Sequence, residues 1–258
     1  MAGDSGSHSS PLLTPGQTLI FLGDHTSPDS PGYVALVREV AARFHPELAL
    51  RLISAGSRGQ SASGLRSKEL MDVLSSARPD WLVIGIGLAD ALREPVAHEL
   101  LEAARLLERK ADQGHLDVTF GPEMELHSSD SSTSVALLLQ GLEAFADSLR
   151  EAISTLQGAG VNVCLLTTIL LGNRFDHPLN RVVVEYNHVI REEALAAGAL
   201  LVDIETAFRD VMERAANYRQ KVSLTNTQGE LNAQGQALVA RQLLAAFGVL
   251  PSGRMRAR

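Results

Sequence analysis

The chain is poor in several of the materials from which proteins are built. It has one cysteine, Cys164, in 258 residues, so no intramolecular disulfide can form. Neither a CxxC pair nor a Cys/His zinc pattern occurs. Set in the apolar run VNVCLLTT, Cys164 reads as a buried strand thiol. Aromatic residues make up 4% of the chain, which leaves aliphatic side chains to fill the core. No apolar run reaches about 18 residues, so no membrane-spanning helix is expected. The opening stretch MAGDSGSHSSPLLTPG lacks a basic start and an apolar segment. No secretory signal is expected from it, and a cytoplasmic location is the default. Basic charge is also short: 23 Lys and Arg stand against 30 Asp and Glu, a net charge of -7. The one basic cluster, Arg254, Arg256 and Arg258, reads as a solvated terminus, so no nucleic-acid partner is expected. The glycines of GSRGQSASG fit neither a Walker nor a dinucleotide spacing, and no cofactor is expected.

What the chain does have is an ordinary globular composition, 45% hydrophobic and 21% charged. Residues 1–16 are rich in Ser, Gly and Pro and read as a disordered lead; residues 17–248 read as one domain, and 249–258 as a flexible basic tail. Within the domain, short apolar runs alternate with helical patterns. Strands are expected at Thr18–Leu22, Leu48–Ser54, Trp81–Gly87, Val161–Thr168 and Ala199–Ile204. Ser30 and Pro31 mark the start of a helix running to Phe44, with Val34, Val37, Val40 and Ala41 on one face. A second helix ends near Ala77, before Pro79. Helical patterns continue over 91–110, 135–157, 180–197, 205–218 and 232–247. Residues 91–134 read as an insertion of one helix, with the stripe Leu92, Val96, Leu100, Leu101, Ala104 and Leu107, and an irregular return. It is a candidate lid or dimer contact.

Strands alternating with helices argue an α/β fold: a three-layer α/β/α sandwich around a five-stranded parallel sheet. Ligands in such folds bind beyond the carboxyl ends of the strands. Those ends carry GDHTS, SAGSRGQS, GLADAL and TTILLGN, and a small-molecule ligand is expected there.

The order of these elements and their loops resembles the SGNH hydrolases, the GDSL-type esterases and lipases. IFLGDHTS is similar to the strand followed by Gly-Asp-Ser, and LISAGSRGQSASGL to the block whose glycine donates a backbone N–H to the oxyanion. WLVIGIGLAD is similar to the block ending Gly-x-Asn-Asp, and LTNTQGELNAQGQALVARQLL to the last block, Asp-x-x-His-x-Asn-x-x-Gly. The resemblance implies a flavodoxin-like strand order, 2-1-3-4-5. It also assigns positions. His25 stands at the nucleophile, Gly59 at the oxyanion glycine, Ala89 at the oxyanion asparagine, and Thr227 and Glu230 at the acid and the base. Gly23, Asp24, Gly87, Asp90, Leu231, Asn232 and Gly235 match the family scaffold. A literal Gly3-Asp4-Ser5 precedes any strand and reads as chance.

With the serine, its base, its acid and one oxyanion donor all replaced, the serine acyl-enzyme route is expected to be absent. Removing one oxyanion donor costs about 10²–10³ in rate, and losing the serine or its base costs roughly 10⁶. Three readings of His25 compete. The pocket is a relic or a binding site, which makes the chain a pseudoenzyme. Or His25 and Glu230 form a new dyad that activates water on an ester-like substrate. Or Asp24, His25, Asp90 and Glu230 hold a divalent ion. Ser27, Ser57 and Ser61 lie near the same loops and read as solvated or capping. His98, His115, His127 and His177 read as surface residues and His188 as structural.

Overall fold

A computed structural model describes residues 12–23, 32–66, 68–102, 131–172, 177–220, 222–225 and 230–250. The strands are β1 (Thr18–Gly23), β2 (Arg51–Ser54), β3 (Trp81–Gly85), β4 (Asn162–Leu166) and β5 (Leu200–Val202). All pair in parallel, in the order β2-β1-β3-β4-β5. Leu19 lies between Leu52 and Trp81, Ile84 faces Leu165, and Leu166 faces Val202. Every residue of β1 is buried, as a central strand covered on both faces requires.

The helices are α1 (Tyr33–Phe44), α2 (Lys68–Ala77), α3 (Leu88–Arg93), α4 (helical over residues 95–102), α5 (Ser131–Gly158), α6 (Pro178–Ala197), α7 (Ile204–Asn217) and α8 (Ala233–Ala246). Right-handed crossovers place α1 on one face of the sheet and α2, α5 and α6 on the other. The packing agrees: α1 lies on α8, which touches α7, while α5 packs on α6. The scarce aromatics sit at seams. Trp81 meets Phe247 edge-on at 5.1 Å, and Phe145 meets Tyr186 at 4.9 Å.

The fold class and strand order are those expected from the sequence; the element ends differ, each for a physical reason. β2 begins at Arg51 rather than Leu48, because Pro46–Leu48 form a 3-10 turn and Ala49 follows in the left-handed region at φ 44°. β3 stops at Gly85, and Gly87 at φ 123° opens α3. β4 stops at Leu166, since Thr168 turns both backbone groups toward the Asn187 side chain. β5 stops at Val202, because Asp203 accepts from the Thr206 N–H at 3.0 Å and caps α7. The helical run expected from 91 is broken after Arg93, where Glu94 is extended and its buried side chain accepts from the Tyr186 hydroxyl. α5 starts at Ser131, inside the stretch expected to be irregular. The N-cap of α1 is Gly32, without a side-chain cap of its own; Gln236 of α8 accepts from the Tyr33 N–H at 2.7 Å instead. The expected cap Ser30-Pro31, the lead 1–11, residues 103–130 with most of the candidate lid, and the tail 251–258 lie outside the described residues.

Two glycines bring β1 and β3 together at their carboxyl ends. A Cβ on Gly23 would come within 2.6 Å of the Gly85 carbonyl oxygen, and one on Gly85 within 3.1 Å of Leu166 Cδ1. The first contact is with backbone, which has little freedom to give way. Gly23→Ala is therefore expected to lower stability by about 2–3 kcal/mol, as overpacking in a close-packed interior does. Chemical denaturation measures this, and an unchanged midpoint would contradict the close approach.

Candidate functional site

Strand order reverses at β1, which has β2 on one side and β3 on the other. The crevice at the carboxyl ends of these strands is the place where an α/β sheet opens to a ligand. Among the described residues, its walls are the loop after β2, the turn into α3, the segment after β4, and residues 222–225 and 230–232.

The loop after β2 is held from α3 at two points. Asp90 accepts the Ala62 N–H with both carboxylate oxygens at 3.2 Å, and Arg93 Nη2 donates to the Gly59 carbonyl at 2.9 Å. Asp90 and Arg93 are one turn apart, so a single helix face holds the second half of the loop. Gly59 itself adopts φ 73°, a conformation open to glycine and strained for other residues. A Cβ built there would meet only Arg93 Nη2, at 3.9 Å, so the space over Gly59 is open among the described residues. Ala89, half-buried, precedes Asp90 on the same short helix.

The last segment reaches the same loop. Thr225 bridges Leu231, and the Asn232 N–H donates to the Leu224 carbonyl at 3.1 Å. Asn232 Oδ1 accepts from the N–H groups of Gln234 and Gly235 at 3.0 Å, capping α8, and its Nδ2 donates to the Ser223 carbonyl at 2.7 Å. A Cβ on Gly235 would collide with the Leu224 carbonyl oxygen. This anchoring presents Glu230, whose carboxylate forms an ion pair with Arg58, the residue before Gly59. Gly59 and Glu230 are thus joined through Arg58, and Ala89 stands on the helix that holds the same loop. Asp24, His25, Ser27 and Thr227 lie outside the described residues, so the two further members of the His25–Glu230–Thr227 set are not placed. For the metal reading, Asp90 is committed to Ala62 and Glu230 to Arg58.

A second polar assembly, absent from the sequence reading, sits behind the wall after β4. Asn187 Oδ1 accepts the Thr168 N–H at 2.6 Å and its Nδ2 donates to the Thr168 carbonyl at 3.0 Å; Asn180 grips Leu171 in the same way, at 2.8 and 3.1 Å. Each amide replaces a strand partner for one residue of the loop. Asn187 also donates to Glu205, which accepts from Arg191 and Arg209. Arg191 further donates to both oxygens of Asp203, at 2.9 and 3.0 Å. The readable signal was the spacing of Asn180, Asn187 and Arg191, which puts three polar groups on one face of an apolar helix.

Partial burial pushes the Asp203 carboxyl up. The Arg191 hydrogen bonds and the Thr206 N–H outweigh that effect, and its pKa ends below the ordinary value. Burial, reinforced by Glu94, pushes the Tyr186 hydroxyl up, and burial alone does the same to the Cys164 thiol, which is buried in β4 as expected. Among the remaining histidines, His177 is half-buried at the start of α6 and His98 is exposed. His188 is not structural: it is exposed and pairs with Glu192 at 3.1 Å on the α6 surface.

Comparison with known proteins agrees with this architecture. Residues 20–238 match the GDSL-like Lipase/Acylhydrolase family. An acetylxylan esterase of Geobacillus stearothermophilus is 22% identical over 212 residues, covering 77% of this chain and 80% of that protein. The crystal structure of that organism's acetylxylan esterase Axe2 superposes with a TM-score of 0.66 at 21% identity, covering 95% of this chain and 99% of the other. LAE5, an alpha/beta hydrolase enzyme from the metagenome of Lake Arreo, gives 0.66 at 20% identity, covering 94% and 100%. In Axe2, alanine variants of a serine, an aspartate and a histidine are each described as catalytic mutants.

The Arg191 assembly gives a pH-dependent expectation. Because Asp203 titrates lower in the folded chain than in the unfolded one, its pairing stabilises the fold fully above about pH 4 and is lost as pH falls through the folded value. Arg191→Met leaves partly buried carboxylates with one cation fewer and is expected to cost about 2–4 kcal/mol at neutral pH. The acid-unfolding midpoint should move to higher pH, and the gap from the parent should narrow below pH 4. Denaturation across pH tests this; a gap equal at pH 7 and pH 3 would contradict it.

Proposed function

The chain belongs to the GDSL-like lipase/acylhydrolase family, and we propose that it is a member that binds a small molecule at the carboxyl edge of its sheet without serine acyl-transfer chemistry. One observation carries the reading: Glu230, where the family motif has the base histidine, is engaged by the Arg58 guanidinium. A carboxylate paired with an arginine is not the imidazole that the motif's serine chemistry uses as its base. The motif positions supply no serine for it to serve, because His25, Ala89 and Thr227 stand at the other three.

What survives of the motif has work to do that is independent of catalysis. Gly23 permits the close approach of β3, Asp90 holds Ala62, Asn232 caps α8, and Gly235 makes room for the Leu224 carbonyl. Loss of the nucleophile or base costs roughly 10⁶ in rate, and among the described residues only Arg93 Nη2 comes within 4 Å of a Cβ placed on Gly59.

The acetylxylan esterases among its relatives make an acetylated sugar the reference substrate for the test. With p-nitrophenyl acetate and xylose tetra-acetate, hydrolysis is expected at the buffer rate, with no labelling by a fluorophosphonate. Stoichiometric labelling of any serine in the folded chain would overturn the reading. Unlabelled protein with turnover that disappears in both His25→Ala and Glu230→Gln would instead establish the water-activating dyad.

A further inference from the structure

The second half of the loop after β2 hangs on α3, and α3 has little of its own to hold it in place. It is six residues long, with Leu88 and Ala91 as its buried residues, and a helix shorter than about 12 residues is marginal by itself. Its start is seated at Gly87, where an added Cβ would lie 3.2 Å from the Phe145 ring and 3.4 Å from Ile190. Its end is seated by Glu94. Pro95 favours an extended backbone at Glu94, and the side chain turns into the interior, where it accepts from the Tyr186 hydroxyl of α6. α5 is cut away to receive it: a Cβ on Gly141 would collide with Glu94 Oε1 and would lie 2.9 Å from its Cδ and 3.1 Å from the Tyr186 oxygen. Burial, then Glu94 and then Asp90 hold the proton on Tyr186, which makes the hydroxyl the donor. The end of α3, the middle of α5 and the middle of α6 thus meet at one buried bond.

We infer that Glu94 and Tyr186 are positioning residues of the candidate site: their hydrogen bond, received in the recess at Gly141, sets the tilt of α3 and so places the Gly59–Ala62 turn through Asp90 and Arg93. This rests on the reading of the carboxyl edge as the site. Asp90 and Arg93 stand on the last turn before Glu94, and they grip Ala62 at 3.2 Å and the Gly59 carbonyl at 2.9 Å. A helix of this length is about 9 Å long, so a tilt of about 10° moves its end by roughly 1.5 Å. That is enough to take either grip out of hydrogen-bond range. The bond itself resists such a tilt. Both partners are buried, Tyr186 at 1% and Glu94 at 9% exposure, and a buried polar group without its partner bears its full desolvation cost. The Tyr186 ring is fixed in turn by Phe145, which it meets edge-on at 4.9 Å. Ala89, at the family's oxyanion-asparagine position, rides on the same short helix.

The test is native-state hydrogen exchange of the full chain, read by NMR at two amides of the crevice. The Ala62 N–H is held by Asp90 of α3, and the Thr168 N–H by Asn187, the residue after Tyr186 on α6. A general loosening around Tyr186 reaches Thr168 at least as readily as Ala62, so the pair separates positioning from mere stability. Tyr186→Phe keeps the ring and removes the donor; it is expected to lower protection of Ala62 about ten-fold or more and to leave Thr168 within about two-fold. Glu94→Gln, which keeps an acceptor oxygen, should restore most of the Ala62 protection, and Glu94→Ala should not. Gly141→Ala should act like Tyr186→Phe in the parent, because its Cβ evicts Glu94. In the Glu94→Ala background it should add no further loss, since the atoms it strikes are gone. Unchanged Ala62 protection in Tyr186→Phe would overturn the inference. So would an equal fall at both amides, the same Gly141→Ala effect in both backgrounds, or a Tyr186→Phe chain that does not fold. The ester assays fail or succeed separately: turnover there contradicts the non-catalytic reading and leaves the Ala62 result standing.

Discussion

The site depends first on how closely β1 and β3 approach at their carboxyl ends. Gly23 lies against the Gly85 carbonyl, with no room for a Cβ, and Gly85 in turn lies under Leu166 of β4. Three strand ends are drawn together there, at the point where strand order reverses. The loops that leave them are therefore neighbours from the start. α3 leaves β3 through Gly87, whose φ of 123° strains any side chain and where an added Cβ would lie 3.2 Å from the Phe145 ring. That turn aims Asp90 and Arg93 at the loop after β2. A backbone constraint in the middle of the sheet thus sets the position of Gly59, and with it the position of Arg58.

The same reasoning separates two kinds of residue within one family motif. Gly23, Gly87, Asp90, Asn232 and Gly235 are each tied to backbone geometry or to a backbone hydrogen bond. The resemblance sets His25, Ala89, Thr227 and Glu230 at the positions whose family roles are chemical. A fold can be kept by its architectural residues after the chemical ones have changed, because the two sets answer to different physics: close packing and satisfied backbone groups in one case, matched nucleophile and base in the other.

Much of the fold was legible in the sequence because its signals are local. Runs such as LIFLG and WLVIG are apolar on both faces, and they became the buried centre of the sheet in the expected order. What was not legible comes from partners far along the chain. The end of β4 is set by Asn187 and the cap of α1 by Gln236, whereas the break after Arg93 is local, since Pro95 favours the extended backbone of Glu94. The apolar stripe Leu92, Val96, Leu100 runs through that break unchanged, so periodicity alone could not find it. In the site, Gly59 and Glu230 were legible as motif positions. The Arg58–Glu230 pair was not, since nothing local to either residue announces the other. The clamps of Asn180 and Asn187 were visible only as polar residues on a buried helical face, a pattern that names no partner.

Arg58 links the two motif positions: it pairs with Glu230 and precedes Gly59. The claim that matters most is that the motif positions no longer support acyl transfer. A pre-steady-state mixing experiment with p-nitrophenyl acetate at protein concentrations near the substrate concentration tests it most directly, because an acyl-enzyme releases p-nitrophenol before it is hydrolysed. The account predicts a linear trace at the buffer rate with no initial phase. A burst approaching one equivalent of p-nitrophenol per chain would contradict it.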